Sequence, residues 1–216
     1  MSRSHLLAPV AAIALATSAA RPLTAHAQFS GARVSFEPAL TTWLGPMLFG
    51  HRLKQGGSEA GYRSSIALGA RGEYPLSRRT GLMVNVALAP FSRQQTETAE
   101  TDRAIWGKAV VYRADAGVSF RFKPTAPVFF YAGGGVVGAT KYAWPVEADI
   151  SGTPIDPQAA FAVGYDGARR GRWNFRATYA GFVVFPTASG SQVEAKATAY
   201  DWSVQLGARY ALRSAP

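Results

Sequence analysis

Polar and apolar residues alternate without a break over residues 200–212, YDWSVQLGARYAL. Tyr200, Trp202, Val204, Leu206, Ala208, Tyr210 and Leu212 fall in one phase. Asp201, Ser203, Gln205, Gly207, Arg209 and Ala211 fall in the other. Successive side chains of a strand point to opposite faces, so the segment predicts a strand with one greasy and one polar face. Aromatics stand near both ends of the greasy face, with aliphatics between them. A strand buried in a soluble core has no need of aromatic borders. A strand crossing a bilayer does, because Trp and Tyr suit sites that are apolar at one end and wet at the other.

The same alternation recurs along the chain. Over residues 62–76, Tyr62, Ile66, Leu68, Ala70 and Tyr74 oppose Arg63, Ser65, Gly69, Arg71 and Glu73. Over 81–91, Leu82, Val84, Val86 and Leu88 oppose Met83, Asn85 and Ala87. Over 106–123, Trp106, Val110, Tyr112, Ala114, Ala116, Val118, Phe120 and Phe122 oppose Ala109, Val111, Arg113, Asp115, Gly117, Ser119, Arg121 and Lys123. Residues 158–167 set Phe161, Val163 and Tyr165 against Ala162, Gly164 and Asp166. Residues 173–185 set Trp173, Phe175, Ala177, Tyr179, Val183 and Phe185 against Asn174, Arg176 and Thr178. Residues 128–142 are apolar on both faces, so their facing stays open. Residues 31–45 place Val34, Phe36, Leu40 and Leu44 on one face, with Pro38 in the middle. Proline cannot donate to a ladder, so the strand either bulges at Pro38 or begins after it, and 47–49 is a candidate extension.

These segments make eight strands. Long connections at 46–61, 92–105, 143–157 and 186–198 alternate with short ones at 75–80, 124–127 and 168–172. An up-and-down meander gathers the long ones at one end, the habit of outer-membrane barrels with loops outside and turns in the periplasm. Tyr62 to Tyr74 and Trp173 to Phe185 each span twelve residues, roughly 30 Å along a tilted barrel and close to the apolar band with its girdles. The expected fold is all-β, an eight-stranded antiparallel up-and-down transmembrane β-barrel. A soluble lipocalin-like barrel would turn the greasy face inward, crowding an interior that eight strands leave just wide enough for side chains. The aromatics are therefore expected outward, in lipid.

Composition agrees. Of 216 residues, 48% are hydrophobic and only 17% charged, with no cysteine. The absent thiol excludes a disulfide scaffold, a thiolate zinc site and a cysteine nucleophile. The formal charge of +10 invites a nucleic-acid reading, but the basic residues are scattered singly over strands and turns rather than gathered in a stripe. Residues 1–27 read as a signal peptide: Arg3 and His5, an apolar run from Leu6 to Ala20, then Ala25-His26-Ala27 before Gln28. Its removal leaves 28–216 as the barrel, with 21 basic and 13 acidic residues and His51 as its single histidine. No later run is apolar over the length a transmembrane helix needs.

With these features the chain resembles the small eight-stranded outer-membrane barrels of the OmpA, OmpX and OmpW-like kind. The resemblance extends over the mature chain and is sharpest at its end. There Gln205, Gly207, Tyr210 and Leu212 resemble the assembly signal by which such barrels are recognised. Family members usually finish on an aromatic residue, whereas this chain continues through 213–216. The resemblance implies an outer-membrane location, outer-membrane lipids and the barrel-assembly machinery as partners, and a monomer.

The candidate chemistry is sparse. Arg71, Arg113, Asp115, Arg121, Arg176, Asp201 and Arg209 fall on the polar phase and predict a polar network in the lumen, the arginines pairing with Glu73, Asp115, Asp166 and Asp201. Each arginine placed in mid-membrane lipid would cost about 2–4 kcal/mol. Residues 133–138, GGGVVG, fit a dinucleotide-binding pattern, but no helix follows. Those glycines are expected across the hairpin from Arg113 and Asp115, making room for large side chains. His51, with Ser58 and Glu59 near in sequence, is the one candidate imidazole base. Glu97, Glu100 and Asp102, and Glu147, Asp149 and Asp156, read as solvated loop carboxylates, since no calcium-loop spacing is present. Arg78, Arg79, Lys123, Arg169, Arg170, Arg172 and Arg213 fall at the short-turn end, facing an anionic leaflet. No catalytic residue, cofactor or metal site is expected. The expected role is structural or interactive. The alternatives are a narrow OmpW-like transporter of small hydrophobic molecules, a lipid-modifying enzyme using His51, and the soluble ligand-binding barrel.

Overall fold

The computed structural model of the chain describes residues 37–55, 58–97, 103–141, 150–151, 155–187, 189–190 and 194–212. The expected signal peptide and residues 31–36 lie outside the described residues. So do Glu100, Asp102, Glu147, Asp149 and Arg213.

Eight strands form the wall: β1 (Ala39–Leu48), β2 (Ser65–Pro75), β3 (Thr80–Glu97), β4 (Arg103–Phe120), β5 (Val128–Ala139), β6 (Ile155–Arg170), β7 (Trp173–Val184) and β8 (Ala199–Ala211). Each pairs antiparallel with the next. β1 and β8 then pair through Ala39↔Ala211, Leu44↔Leu206 and Leu48↔Trp202, which closes the barrel. Among the described residues no helix is long and apolar enough to cross a membrane; the apolar surface belongs to strands.

The alternation decides the facing. Leu44, Ile66, Phe175, Leu206 and Leu212 are each more than half exposed on the outside. Arg71, Arg113, Arg176, Asp201 and Arg209 are buried inside. The soluble lipocalin-like reading, with the greasy face inward, is thereby overturned. Aromatics border the belt at both ends. Trp173 packs on Tyr210 at 4.7 Å near the short turns, and Tyr179 stacks on Trp202 at 5.5 Å toward the long-loop end.

The choice left open at Pro38 is decided: β1 starts at Ala39, after Pro38, and runs on to Leu48, and 39–48 is the segment that pairs with β8. Three expectations are corrected. The first long connection is itself a hairpin, His51–Gln55 with Ser58–Tyr62, whose second strand pairs with the outer end of β3 through Glu59↔Glu97 and Tyr62↔Gln94. Tyr62 therefore belongs to that hairpin and points inward, so it marks no girdle. Residues 92–97 and 103–105, expected in a polar loop, continue β3 and β4 as a projecting ladder that reaches Glu97↔Arg103. Above the lipid belt both faces of a strand are polar, so hydrophobic periodicity vanishes while backbone pairing continues.

The open facing of 128–142 is also resolved. Phe129, Tyr131 and Val137 point inward, and Phe130 and Val136 outward. At the short-turn end Gly171 has φ +61°, a left-handed conformation that costs glycine nothing and lets β6 and β7 turn in two residues.

The β1–β8 register gives a direct test in a chain that has no cysteine of its own. Thr42 lies opposite Ala208, so Thr42→Cys with Ala208→Cys should cross-link within one chain in membranes, while Leu40→Cys with Ala208→Cys should not. Equal yields from both pairs would contradict the closure described here.

Candidate functional site

The lumen concentrates the charge of the chain. Six arginines are buried there: Arg52, Arg71, Arg113, Arg121, Arg176 and Arg209. They form three tiers.

In the tier nearest the short turns, Arg176 grips Asp166 with two bonds, Nε to Oδ1 at 2.6 Å and Nη2 to Oδ2 at 2.8 Å, and also pairs with Glu73. Arg209 Nε donates to Glu73 Oε2 at 3.0 Å. Arg121 pairs with Asp166 and donates to the carbonyl of Ala126 at 2.5 Å. The Arg176 guanidinium lies 4.4 Å from the Phe129 ring centre, a cation–π contact in a dry site.

In the middle tier Arg71 donates to Asn85, to Thr178 Oγ1 at 3.2 Å and to Gln205 Oε1 at 2.8 Å. Asp115 Oδ1 accepts from Asn85 Nδ2 at 2.7 Å and from Tyr131 OH at 2.5 Å. The expected pairing of Asp115 with an arginine is corrected here: neutral donors hold it. Arg71 likewise binds neutral acceptors, and no ion pair joins it to a carboxylate among the described residues.

In the upper tier Asp201, fully buried, accepts from Arg113 Nη2 at 2.5 Å, from Arg52 Nη2 at 2.8 Å and from Gly50 N at 2.9 Å. Arg52 also donates to Asp156 at 3.2 Å. Asp156, expected in a loop, thus sits in β6 in a buried ion pair. Arg52 escaped the sequence reading because its hairpin strands are too short to show a period. Arg113 stacks on Phe182 at 3.6 Å.

Glycines create the room for these groups. Trp43 points inward between Gly207 of β8 and Gly69 of β2, its direct partners on either side. A β-carbon on either glycine would collide with Trp43. Gly135 lies opposite Asp115 as expected, but Arg113 lies opposite Val137, not a glycine. Trp43, Arg71, Arg113, Asp115, Tyr131 and Phe182 surround a void with about 10 Å³ of space for water centres, room for roughly one water. Phe49, Leu53, Tyr62, Val111 and Val184 pack toward the mouth as an apolar cap, continued down to the level of the upper tier by Met47 and Val137. Tyr62 OH ties the cap across the lumen by donating to the carbonyl of Lys141 at 2.7 Å.

The residues resembling an assembly signal are spread over both faces of β8. Gln205 is buried against Arg71, and Gly207 admits Trp43. Tyr210 packs on Trp173 and accepts from Arg172 Nη1 at 3.2 Å. Leu212 is exposed, its amide bound to the Pro38 carbonyl at 2.8 Å.

His51 stands outside the belt. Its Nδ1 is 3.1 Å from Glu59 and its Nε2 3.3 Å from Glu97, with Gln95 also at 3.3 Å. Among the described residues no cluster suited to a metal ion is present. Lys196 Nζ donates to Glu59 at 2.7 Å and holds that carboxyl below its ordinary value, against a smaller opposing effect of burial.

With this geometry in hand, comparison shows what shares it. The outer membrane protein OprG of Pseudomonas aeruginosa aligns with a TM-score of 0.54 at 12% identity, over 84% of this chain and 100% of that one. The outer membrane protein AlkL, whose structure was determined in lipid bilayers, gives 0.52 at 14% identity, over 86% and 95%. The fold is that of the small eight-stranded outer-membrane β-barrels. No protein-family model and no curated protein matches the sequence.

Two tests follow from the tiers. Asp201→Ala strands Arg52 and Arg113 in a dry lumen and should cost about 3–5 kcal/mol. Asp115→Ala strands only neutral donors and should cost about 1–3 kcal/mol. Urea unfolding in lipid vesicles ranks the two; the reverse order would contradict these assignments. Outside the belt, the depressed Glu59 carboxyl stabilises its hairpin above the unfolded carboxyl value of about 4.3. That contribution is lost as pH falls through the lower folded value. Protection of the amides at residues 58–62, taken relative to intrinsic exchange, should fall as pH drops below the unfolded value, and the acid step should shrink in Lys196→Met.

Proposed function

We propose that the chain is a small outer-membrane barrel with a structural or interaction role. It presents its long-loop end outside and its short turns to the periplasm. The observation that carries this reading is the filled lumen beneath a capped mouth. Arginine tiers and the apolar cap occupy the interior, and the void between them has room for roughly one water. A barrel so packed offers a wall and a rim rather than a passage. The exposed apolar belt with its aromatic borders fits residence in lipid. The proposal includes export by a cleaved signal peptide, folding by the barrel-assembly machinery, outer-membrane lipids as neighbours, and a monomeric barrel that binds no nucleic acid.

The reading is non-enzymatic. Both ring nitrogens of His51 are occupied by Glu59, Glu97 and Gln95, which leaves neither directed at a hydroxyl nucleophile. His51→Ala should therefore leave any lipid-modifying activity of the membrane fraction unchanged.

A second reading, a narrow transporter of small hydrophobic molecules, draws on the apolar cap of the upper lumen. It requires Phe49 and the bond from Tyr62 to Lys141 to move aside. Planar-bilayer recording separates the readings from a porin: the barrel should give no steady ohmic conductance. A large open-channel current from the purified protein would overturn the filled-lumen role. Uptake of a hydrophobic probe into cells, raised in Tyr62→Phe, which lacks the bond to Lys141, would favour the transporter.

A further inference from the structure

The outer surface of the barrel carries a row of cations just above the belt at the long-loop end. Two other cations of that end are matched, Lys54 with Glu194 and Lys196 with Glu59. Arg63, Arg93 and Lys108 have no carboxylate partner among the described residues. They sit side by side. The amide of Arg63 donates to the carbonyl of Arg93 at 2.7 Å, and Arg93 is directly opposite Lys108 across the β3–β4 ladder. All three are exposed.

Backbone irregularities fix this arrangement. Pro90 has no N–H, and the β3–β4 ladder skips from Ala89 to Ser92. Phe91 is thrown outward, 79% exposed, just below Arg93. Gly107, at φ +50°, occupies the next register shift and brings Lys108 opposite Arg93. Beneath the row stand Ile66, Leu88, Phe91 and Val136, at the upper margin of the apolar belt.

Like charges directly opposite on a sheet repel, and neighbouring strands are only about 4.8 Å apart. A row of this kind calls for anions between its members, and at this height in a bilayer the available anions are headgroups. The arginine fork matches phosphate bidentately, and a phosphomonoester carries nearly two charges.

We propose that Arg63, Arg93 and Lys108 bind the phosphate groups of an anionic glycolipid in the leaflet at the long-loop end, with Phe91 seated among its acyl chains. The inference rests on the membrane reading above.

The test uses the whole mature barrel in uncharged maltoside micelles. Two probes are a diphosphorylated, acylated disaccharide lipid and the same lipid without its phosphates; inorganic phosphate is a third. Wild type should bind the phosphorylated lipid at least tenfold more tightly than the dephosphorylated one, with affinity falling as salt rises. Arg63→Gln, Arg93→Gln and Lys108→Gln combined should abolish that preference. Arg78→Gln, Arg79→Gln and Lys123→Gln combined, at the opposite end, should keep it. The row variant should melt at or above wild type in plain micelles, where repulsion has been relieved. It should melt below wild type once the phosphorylated lipid is added. Equal binding of both lipids, equal loss in the two variants, or an equal shift from inorganic phosphate alone would overturn the proposal. Heat-modifiable gel migration is read in the same samples. A normal shift without lipid preference overturns this inference only; no shift in any condition overturns the barrel reading with it.

Discussion

The pairing of β1 with β8 is the contact on which every other feature depends. In lipid each unpaired backbone group costs several kcal/mol, so a sheet with open edges does not persist there. Closure joins residues 39–48 to 202–211, the two ends of the described chain. It also creates the inside. Before closure the polar phase of each strand is one face of a sheet; afterwards Arg71, Thr178 and Gln205, from three different strands, meet within hydrogen-bond distance. Trp43 belongs to this contact. Its indole lies against Gly69 of β2 and its β-carbon against Gly207 of β8, so a side chain on either glycine would collide with it.

An eight-stranded wall encloses little more than side-chain volume, and this chain fills it with arginine. Taking charges from water is expensive, and pairing in a dry site offsets that cost only with good geometry and further hydrogen bonds. The tiers meet this condition by sharing acceptors. Asp166 serves Arg121 and Arg176, Asp201 serves Arg52 and Arg113, and Glu73 serves Arg176 and Arg209. Phe129 and Phe182 supply a second surface, receiving the flat faces of guanidinium groups that carboxylates hold at their edges. Lysine, a point charge without a planar face, has no equivalent way to satisfy both contacts.

Period-two alternation made the wall legible because the bilayer imposes one rule on every outward position. Within the belt, Arg113, Arg121, Arg176, Asp201 and Arg209 are identifiable as lumen residues from phase alone. The partner of each is not, since parity gives the face and not the height. Asp115 shows the difference: its phase is right, yet the groups at its level are Asn85 and Tyr131. Tyr131 itself was hidden, because residues 128–142 are apolar on both sides and carry no contrast. Beyond the belt the rule lapses altogether. The hairpin at 51–62 and the outer ends of β3 and β4 look like polar loops because no lipid meets their outer face, although Leu53, Tyr62, Ser92 and Gln94 are buried on the inner one; Arg52 of that hairpin and Asp156 at the outer end of β6 are hidden for the same reason.

Those hidden residues join the two regions. Arg52 is carried by the outer hairpin, yet its guanidinium enters the lumen and binds Asp156 of β6 and Asp201 of β8. Its carbonyl meanwhile accepts the amide of Lys196 at 2.9 Å, and Lys196 reaches back to Glu59 of the same hairpin. The exposed pairs around His51 and Glu59 are screened by water and salt and fix little by themselves. The buried arm of Arg52 is different, since leaving its partners unpaired in a dry lumen is costly. The position of the outer hairpin is therefore set from inside the barrel. Any partner that engages the long-loop end meets a surface held by the upper tier of the lumen, and a change at Asp201 is felt at the rim although the residue itself is fully buried.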